Sequence, residues 1–267
     1  MQIYPLAEVL LLVFSGMIIS TLGALIGLGG GFLAVPYLIL VWSLDRELAV
    51  FSSLMLVLAN STSGSISYIR SRMIDWKFAV FIFVPTVPGL ILGYFILKNL
   101  DSMVFDILFS MLLLIMTSYI MIKHFLNKNE KSKKEVRVDG WGKKILAVPI
   151  SFAAGTISST FGVGGGSIFM PVQVGLLDLN MRKAVANSMF IIAMMAVIRV
   201  FVISYGYFSV DHLQYGLPLA LGALIGGYAG AHVVKNIKKS RPLIYLLAVF
   251  LFLIAVYMGL NGLFRFL

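Results

Sequence analysis

Long stretches without charge constrain this chain more than any other feature of its sequence. Apart from isolated charges at their flanks, segments 9–45, 48–69, 78–97, 107–122, 145–177, 184–198, 212–234 and 242–264 carry none. A helix needs roughly 20 apolar residues to cross the hydrocarbon core of a bilayer, and most of these segments reach or approach that length. Hydrophobic residues make up 60% of the 267 and charged residues only 12%. Soluble domains hold about 45–50% and about 25%. The composition excludes a water-soluble fold and predicts an all-α polytopic membrane protein with the lipid bilayer as a partner. With no cysteine in the chain, disulfides, thiolate metal sites and cysteine nucleophiles are excluded. The opening MQIYPLAEVLLLVF lacks a basic leader region and carries Glu8, so a cleaved secretory signal is not expected. The net charge of +10 comes from basic loops beside apolar spans, the orientation signal of membrane proteins. No nucleic-acid partner is expected.

Two of the apolar stretches interrupt themselves. Residues 27–36 read GLGGGFLAVP, and residues 162–171 read GVGGGSIFMP, 135 positions later. At the same offset AVFSSL (49–54) aligns with AVANSM (184–189), pairing Ser53 with Ser188; at an offset of 137, GLILGYFILKNL (89–100) aligns with GGYAGAHVVKNI (226–237). Three matched blocks in one order predict a duplicated chain, with a first membrane repeat over 1–125 and a second over 143–267. Between them lies a charged linker over 126–142.

Loop charge decides how each repeat threads the bilayer, because Lys and Arg favour the cytoplasmic side. If each opening segment crossed once, the basic residues outside the spans would divide 8 to 12 between the two sides. If each opening segment is instead a re-entrant hairpin, Arg46, Lys98 and Arg265 fall on one side and all others on the other, a split of 3 to 17. The hairpin arrangement is the one expected. Each repeat then has a glycine-broken re-entrant helical hairpin and three transmembrane helices. Three is odd, so the two repeats are inverted, with the linker cytoplasmic and both termini outside. Inverted repeats with broken helices recur in secondary transporters, with the site near the bilayer midplane.

Backbone freed by a helix break cannot face lipid. After each glycine run, residues 32–42 and 167–177 read as short half-helices, whose N-termini present free N–H groups and partial positive charge to an anion. Glycine also lets a ligand approach the backbone. Gly29, Gly30, Gly31, Gly164, Gly165, Gly166 and Ser167 are therefore candidate anion-binding positions. The competing reading is close helix packing through small residues. Neither run is a nucleotide loop: no Lys-Ser or Lys-Thr follows, and Phe32 or Ser167 stands where a dinucleotide fingerprint needs glycine. Ser53, Asn60 and Gly64 share one helical face at steps of 7 and 11; Asn187 and Ser188 open the matching span, and Arg199 lies 11 beyond Ser188. Arg199 has two readings, an intramembrane ligand group or a side chain snorkelling to the outer interface. His124, His212 and His232 are scattered near span ends, Asp106 falls at an interfacial flank, and Gly222, Gly226 and Gly230 read as a helix-packing stripe. No nucleophile–base pair, metal site or cofactor site is visible, so an enzyme is not expected.

G-x-GGG-x₄-P in both halves, each followed by a small-residue and serine cluster, resembles the TauE/SafE family of sulfite exporters and sulfonate permeases, over about residues 8–264. The resemblance implies a multi-pass inner-membrane carrier of small sulfur oxyanions or organosulfonates, such as sulfite or sulfoacetate. It rests on Gly27, Gly29–Gly31 and Pro36, on Gly162, Gly164–Gly166 and Pro171, and on the clusters around Ser53 and Ser188. Phe51-Ser52 stands where the second copy has Ala186-Asn187, so the half-sites need not be equivalent. A passive anion channel is the alternative function, with a membrane enzyme or sensor behind it. A homodimer is one of the assemblies open to such a chain.

Overall fold

The computed structural model describes residues 6–26, 29–126, 141–165, 168–169, 172–173, 181–206, 210–236 and 241–264, and every element among them is an α-helix. Among the described residues four apolar segments are long enough to cross a bilayer: Leu6–Ala24, Arg46–Arg70, Trp76–Asn99 and Lys183–Val202. α1 (Leu6–Ile26) has 21 residues, or ~31 Å at the helical rise. Leu6, Leu10, Phe14 and Ile18 form an exposed stripe along it, while Ser20, Ser52, Ser53, Asn60 and Ser188 are buried in the bundle. Apolar outside and polar inside reverses the soluble pattern and suits lipid.

The chain leaves α1 for a turn at Gly29 and Gly30, with φ of 81° and 84°. A Cβ is disfavoured in that left-handed region, and only glycine visits it freely. The Gly30 carbonyl then accepts from the N–H groups of Leu33 and Ala34, both at 3.1 Å, as the first turn of α2 (Gly31–Val41). α2 runs back along α1. A Cβ on Gly23 would stand 2.4 Å from the Gly30 backbone, and further along α2 the Tyr37 hydroxyl lies 2.8 Å from Ser15 Oγ.

α3 (Arg46–Arg70) carries Glu47 in its first turn and Arg70 in its last, the charges that complement its dipole. Asp75 caps α4 (Trp76–Phe83) by accepting from the Phe78 N–H at 3.1 Å. The single span expected over 78–97 is two helices: α4 ends at Phe83, and α5 (Thr86–Asn99) begins after Val84 and Pro85. Pro85 and Pro88 both lack an N–H, so two rungs of the ladder are lost within one turn, and each ring crowds the carbonyl four residues back. The Val87 N–H donates to the Val84 carbonyl at 3.3 Å, and Thr86 Oγ1 donates to that of Phe83. Next come α6 (Ser102–Leu126), α7 (Trp141–Phe161), α8 (Met181–Gly206), α9 (Val210–Asn236) and α10 (Arg241–Phe264).

The most extensive packings are α1 on α9, α3 on α9 and α5 on α7; α10 lies on α6, and α3 also lies against α8. Within a bilayer, association relies on close van der Waals contact and interhelical hydrogen bonds, because lipid tails are as apolar as leucine. Glycine provides that closeness. A Cβ on Gly226 of α9 would stand 2.2 Å from the Met17 carbonyl oxygen, and one on Gly89 of α5 would stand 2.2 Å from that of Phe152. Gly230 and Gly93 face the carbonyls of Thr21 and Thr156 in the same way, at 2.7 and 2.3 Å. Hydroxyls reinforce both seams: Ser20 donates to the Ala223 carbonyl at 2.9 Å, and Ser159 to that of Leu90.

Candidate functional site

The first glycine turn lies beside the middle of α3. Asn60 Nδ2 donates to the Gly29 carbonyl at 2.8 Å, and a Cβ on Gly29 would touch Val57. The second turn has the same backbone: Gly162, Gly164 and Gly165 have φ of 68°, 79° and 71°. The Gly165 carbonyl accepts from Ile168 and Phe169, both at 3.0 Å, as Gly30 does from Leu33 and Ala34. Met195, near the middle of α8, takes the place that Asn60 takes on the first side, with Cε 3.1 Å from a Cβ built on Gly165.

The two turns meet. A Cβ on Gly31 would stand 2.2 Å from the Gly162 carbonyl oxygen. Ser53 Oγ donates to that same oxygen at 3.0 Å and lies 3.5 Å from the Gly31 carbonyl, fastening both turns to α3. Val57 and Ile192 fill the space between the turns; each would contact a Cβ on Gly29 and one on Gly164.

Arg199 sits at the second turn. Only 1% of it is exposed, so it does not snorkel. Its guanidinium carbon lies 5.9 Å from the Tyr94 ring centroid, within cation–π range. Nε, Nη1 and Nη2 have no hydrogen-bond partner among the described residues. The side chain lines a narrow pocket with Gly164, Ser158, Leu54, Leu90 and Ile192, which in this conformation is closed to a water-sized sphere. A buried, unpaired cation beside a left-handed glycine turn is a constellation suited to an anion.

The remaining candidates divide. Gly29, Gly30, Gly31, Ser53, Gly164, Gly165 and Arg199 gather around the junction of the turns. Ser188 is buried, and its Oγ accepts from Gln173 Nε2 at 3.2 Å. Asn187 points elsewhere: its Oδ1 accepts from the Asp75 N–H at 2.9 Å, stapling α8 to the turn before α4. Gly166 and Ser167 lie outside the described residues, as do Gly27, Pro171 and linker residues 127–140. Asp106, expected at an interfacial flank, is buried near the start of α6 and paired with Arg46 at the start of α3. Sequence reasoning did not single out Tyr94 or Gln173. Gln173 was detectable as an amide inside the charge-free segment 145–177, whereas nothing distinguishes Tyr94 from the other tyrosines. Among the described residues no group of three or more His, Asp or Glu side chains could hold a metal ion.

Comparison with known proteins agrees over most of the chain. Residues 12–258 match the family model described as "Sulfite exporter TauE/SafE". The chain is 27% identical over 273 residues to the probable membrane transporter protein YunE of Bacillus subtilis (strain 168), covering 95% of this chain and 98% of that one. It is 28% identical over 193 residues to the probable membrane transporter protein MJ0441 of Methanocaldococcus jannaschii, covering 70% and 69%. A second Bacillus subtilis protein, the probable membrane transporter protein YdhB, is 25% identical over 236 residues, covering 86% and 91%.

Proposed function

The chain belongs to the TauE/SafE sulfite exporter family and is a secondary membrane transporter, not an enzyme; from that premise, we propose that its cargo is a small sulfur-containing anion, such as sulfite or sulfoacetate. The anion binds near the bilayer midplane, where the two glycine turns meet Arg199. One observation carries this reading: a fully buried arginine with three unpartnered nitrogens lines a pocket against the turn at Gly164. An unpaired charge is costly away from water, and an anionic substrate removes the cost. The depth is supported by α3 and α8, whose central residues Val57, Asn60, Ile192 and Met195 flank the turns.

We read the two halves, 1–125 and 143–267, as inverted repeats, each a re-entrant hairpin and three spans. Equivalent residues in equivalent contacts support the duplication: Met17 against Gly226 and Phe152 against Gly89, or Thr21 against Gly230 and Thr156 against Gly93. The backward run of α2 along α1 supports the hairpin. Val57 and Ile192 close the space between the turns, which favours a carrier that rearranges over an open channel.

The test is transport by the purified chain in proteoliposomes, with sulfite and sulfoacetate under imposed pH, Na⁺ and voltage gradients. Wild type is expected to move at least one of them. Arg199→Gln is expected to lose at least tenfold in rate or affinity, which is about 1.4 kcal/mol. Wild-type transport and affinity in that variant would disprove the role of Arg199.

A further inference from the structure

We propose that the Arg199 pocket is a single site for one monovalent anion, and that this anion is the counter-ion of the folded protein. The proposal rests on the anion-site reading above and narrows it to the charge and number of the ligand.

Number follows from how unlike the two turns are. The position 11 residues beyond Ser188 is Arg199; the position 11 beyond Ser53 is Gly64. Gly64 carries no side chain at all, and the closest atom to a Cβ there would be the flexible Met189 Cε at 2.6 Å. At the first turn Ser53 donates to the Gly162 carbonyl and Asn60 Nδ2 donates an N–H to that of Gly29. At the second turn Met195 occupies the corresponding place and donates nothing. Among the described residues the first turn thus has no cation and its side-chain donors Ser53 and Asn60 already serve backbone carbonyls; the second has a cation with no hydrogen-bond acceptor. A duplicated scaffold has one charged site, not two.

Charge follows from the lining. One guanidinium contributes +1, and among the described residues no carboxylate pairs with it. Leu54, Leu90, Ile192 and Ala196 form much of the remaining wall. None of them is a cation, and Ser158, also in the lining, adds only a neutral hydroxyl. Tyr94 presents its ring to the guanidinium, which stabilises the cation without neutralising it. One negative charge makes this apolar pocket neutral. A dianion would leave a net negative charge in a medium of low dielectric, where Coulomb energies are many times those in water. The ligand class is therefore a monovalent oxyanion, sulfonate or halide; of the two cargoes named above this selects sulfite in its bisulfite form over sulfoacetate, a dianion at neutral pH, and divalent sulfate and thiosulfate are likewise disfavoured.

The experiment is thermal unfolding of the full chain in detergent at constant ionic strength. Chloride, nitrate, bisulfite or methanesulfonate would be titrated in turn against sulfate and thiosulfate. Each monoanion is expected to raise the wild-type unfolding temperature saturably, with calorimetry giving one anion per chain. The dianions are expected to bind at least tenfold more weakly. Arg199→Met and Arg199→Gln are expected to lose the response, and Arg199→Met to match or exceed anion-free wild type in stability, since the unpaired charge is gone. If neither variant folds, the wild-type stoichiometry and the monoanion preference decide the matter. Equal binding of dianions, two anions per chain, no response in wild type, or a full response in both variants would each overturn the proposal. Vesicles that fail to carry sulfur anions while the monoanion response persists would instead overturn the cargo reading alone.

Discussion

Gly31 and Gly29 are both glycine for different reasons, and the difference can be measured. Gly29 has φ of 81°, yet the nearest atoms to a built Cβ are side-chain carbons at 3.5 Å or more. Alanine there fits but is strained, at about 1–2 kcal/mol for a left-handed residue. Gly31 has ordinary helical geometry, but its Cβ would lie 2.2 Å from the Gly162 carbonyl oxygen. That atom is backbone and cannot rotate away. Gly29→Ala is expected to remain folded with a modestly lowered unfolding temperature, while Gly31→Ala forces the turns apart and loses folded protein. Size-exclusion profiles and thermal unfolding in detergent would check this, and equal behaviour of the two variants would refute it. The sequence showed the glycines because they repeat, and it showed Arg199 because a charge in an apolar run is conspicuous. It did not show that Ser53 serves the turns through the carbonyls of Gly31 and Gly162, nor that Asn187 is committed to Asp75. Those are long-range partnerships, and composition along one span does not contain them.

Between elements, the glycines of α9 and α5 set how closely α1 and α7 approach. Leucine at Gly226 or Gly89 would place its Cβ 2.2 Å from a backbone oxygen and force two long helices apart. Overpacking in cores typically costs about 1–3 kcal/mol, and occasionally more; both variants are expected at or above the upper end, read as lost thermal stability. Leu221, on the exposed side of α9, is the control. Lipid replaces what Leu221→Ala removes, so its unfolding temperature is expected to stay at wild type. A matching loss at Leu221, or none at the glycines, would show that this seam does not hold the bundle. The stripe at Gly222, Gly226 and Gly230 was legible because small residues at intervals of four mark one helical face. The division of 78–97 into α4 and α5 was less so. Proline alone does not predict it, since Pro36, Pro149 and Pro218 lie inside continuous helices. Pro85 and Pro88 together remove two donors within one turn, and that pairing is the signal.

For the whole molecule, orientation depends on charge and connectivity together. If both glycine turns close re-entrant hairpins, the basic residues divide 3 to 17 between the two sides. The packing is reciprocal in a matching way: α1 of the first half lies on α9 of the second, and α7 of the second lies on α5 of the first. Such an exchange holds the two glycine turns against each other, so the junction proposed as the site needs both halves. Three aligned blocks are what carries the duplication reading in the sequence, and they could not reveal the exchange, because alignment pairs residues that resemble one another and not residues that touch. The remaining property is the direction of each half, and the natural absence of cysteine makes it directly measurable. Gln2→Cys and Ser132→Cys, made singly, would be exposed in intact cells to a membrane-impermeant thiol reagent. Gln2→Cys is expected to react from outside, and Ser132→Cys only after the membrane is opened. With an odd number of crossings between them, the two positions must lie on opposite sides; with an even number they lie on the same side. Reaction of both from outside, or of neither, would therefore remove the inversion and return each opening segment to a complete crossing.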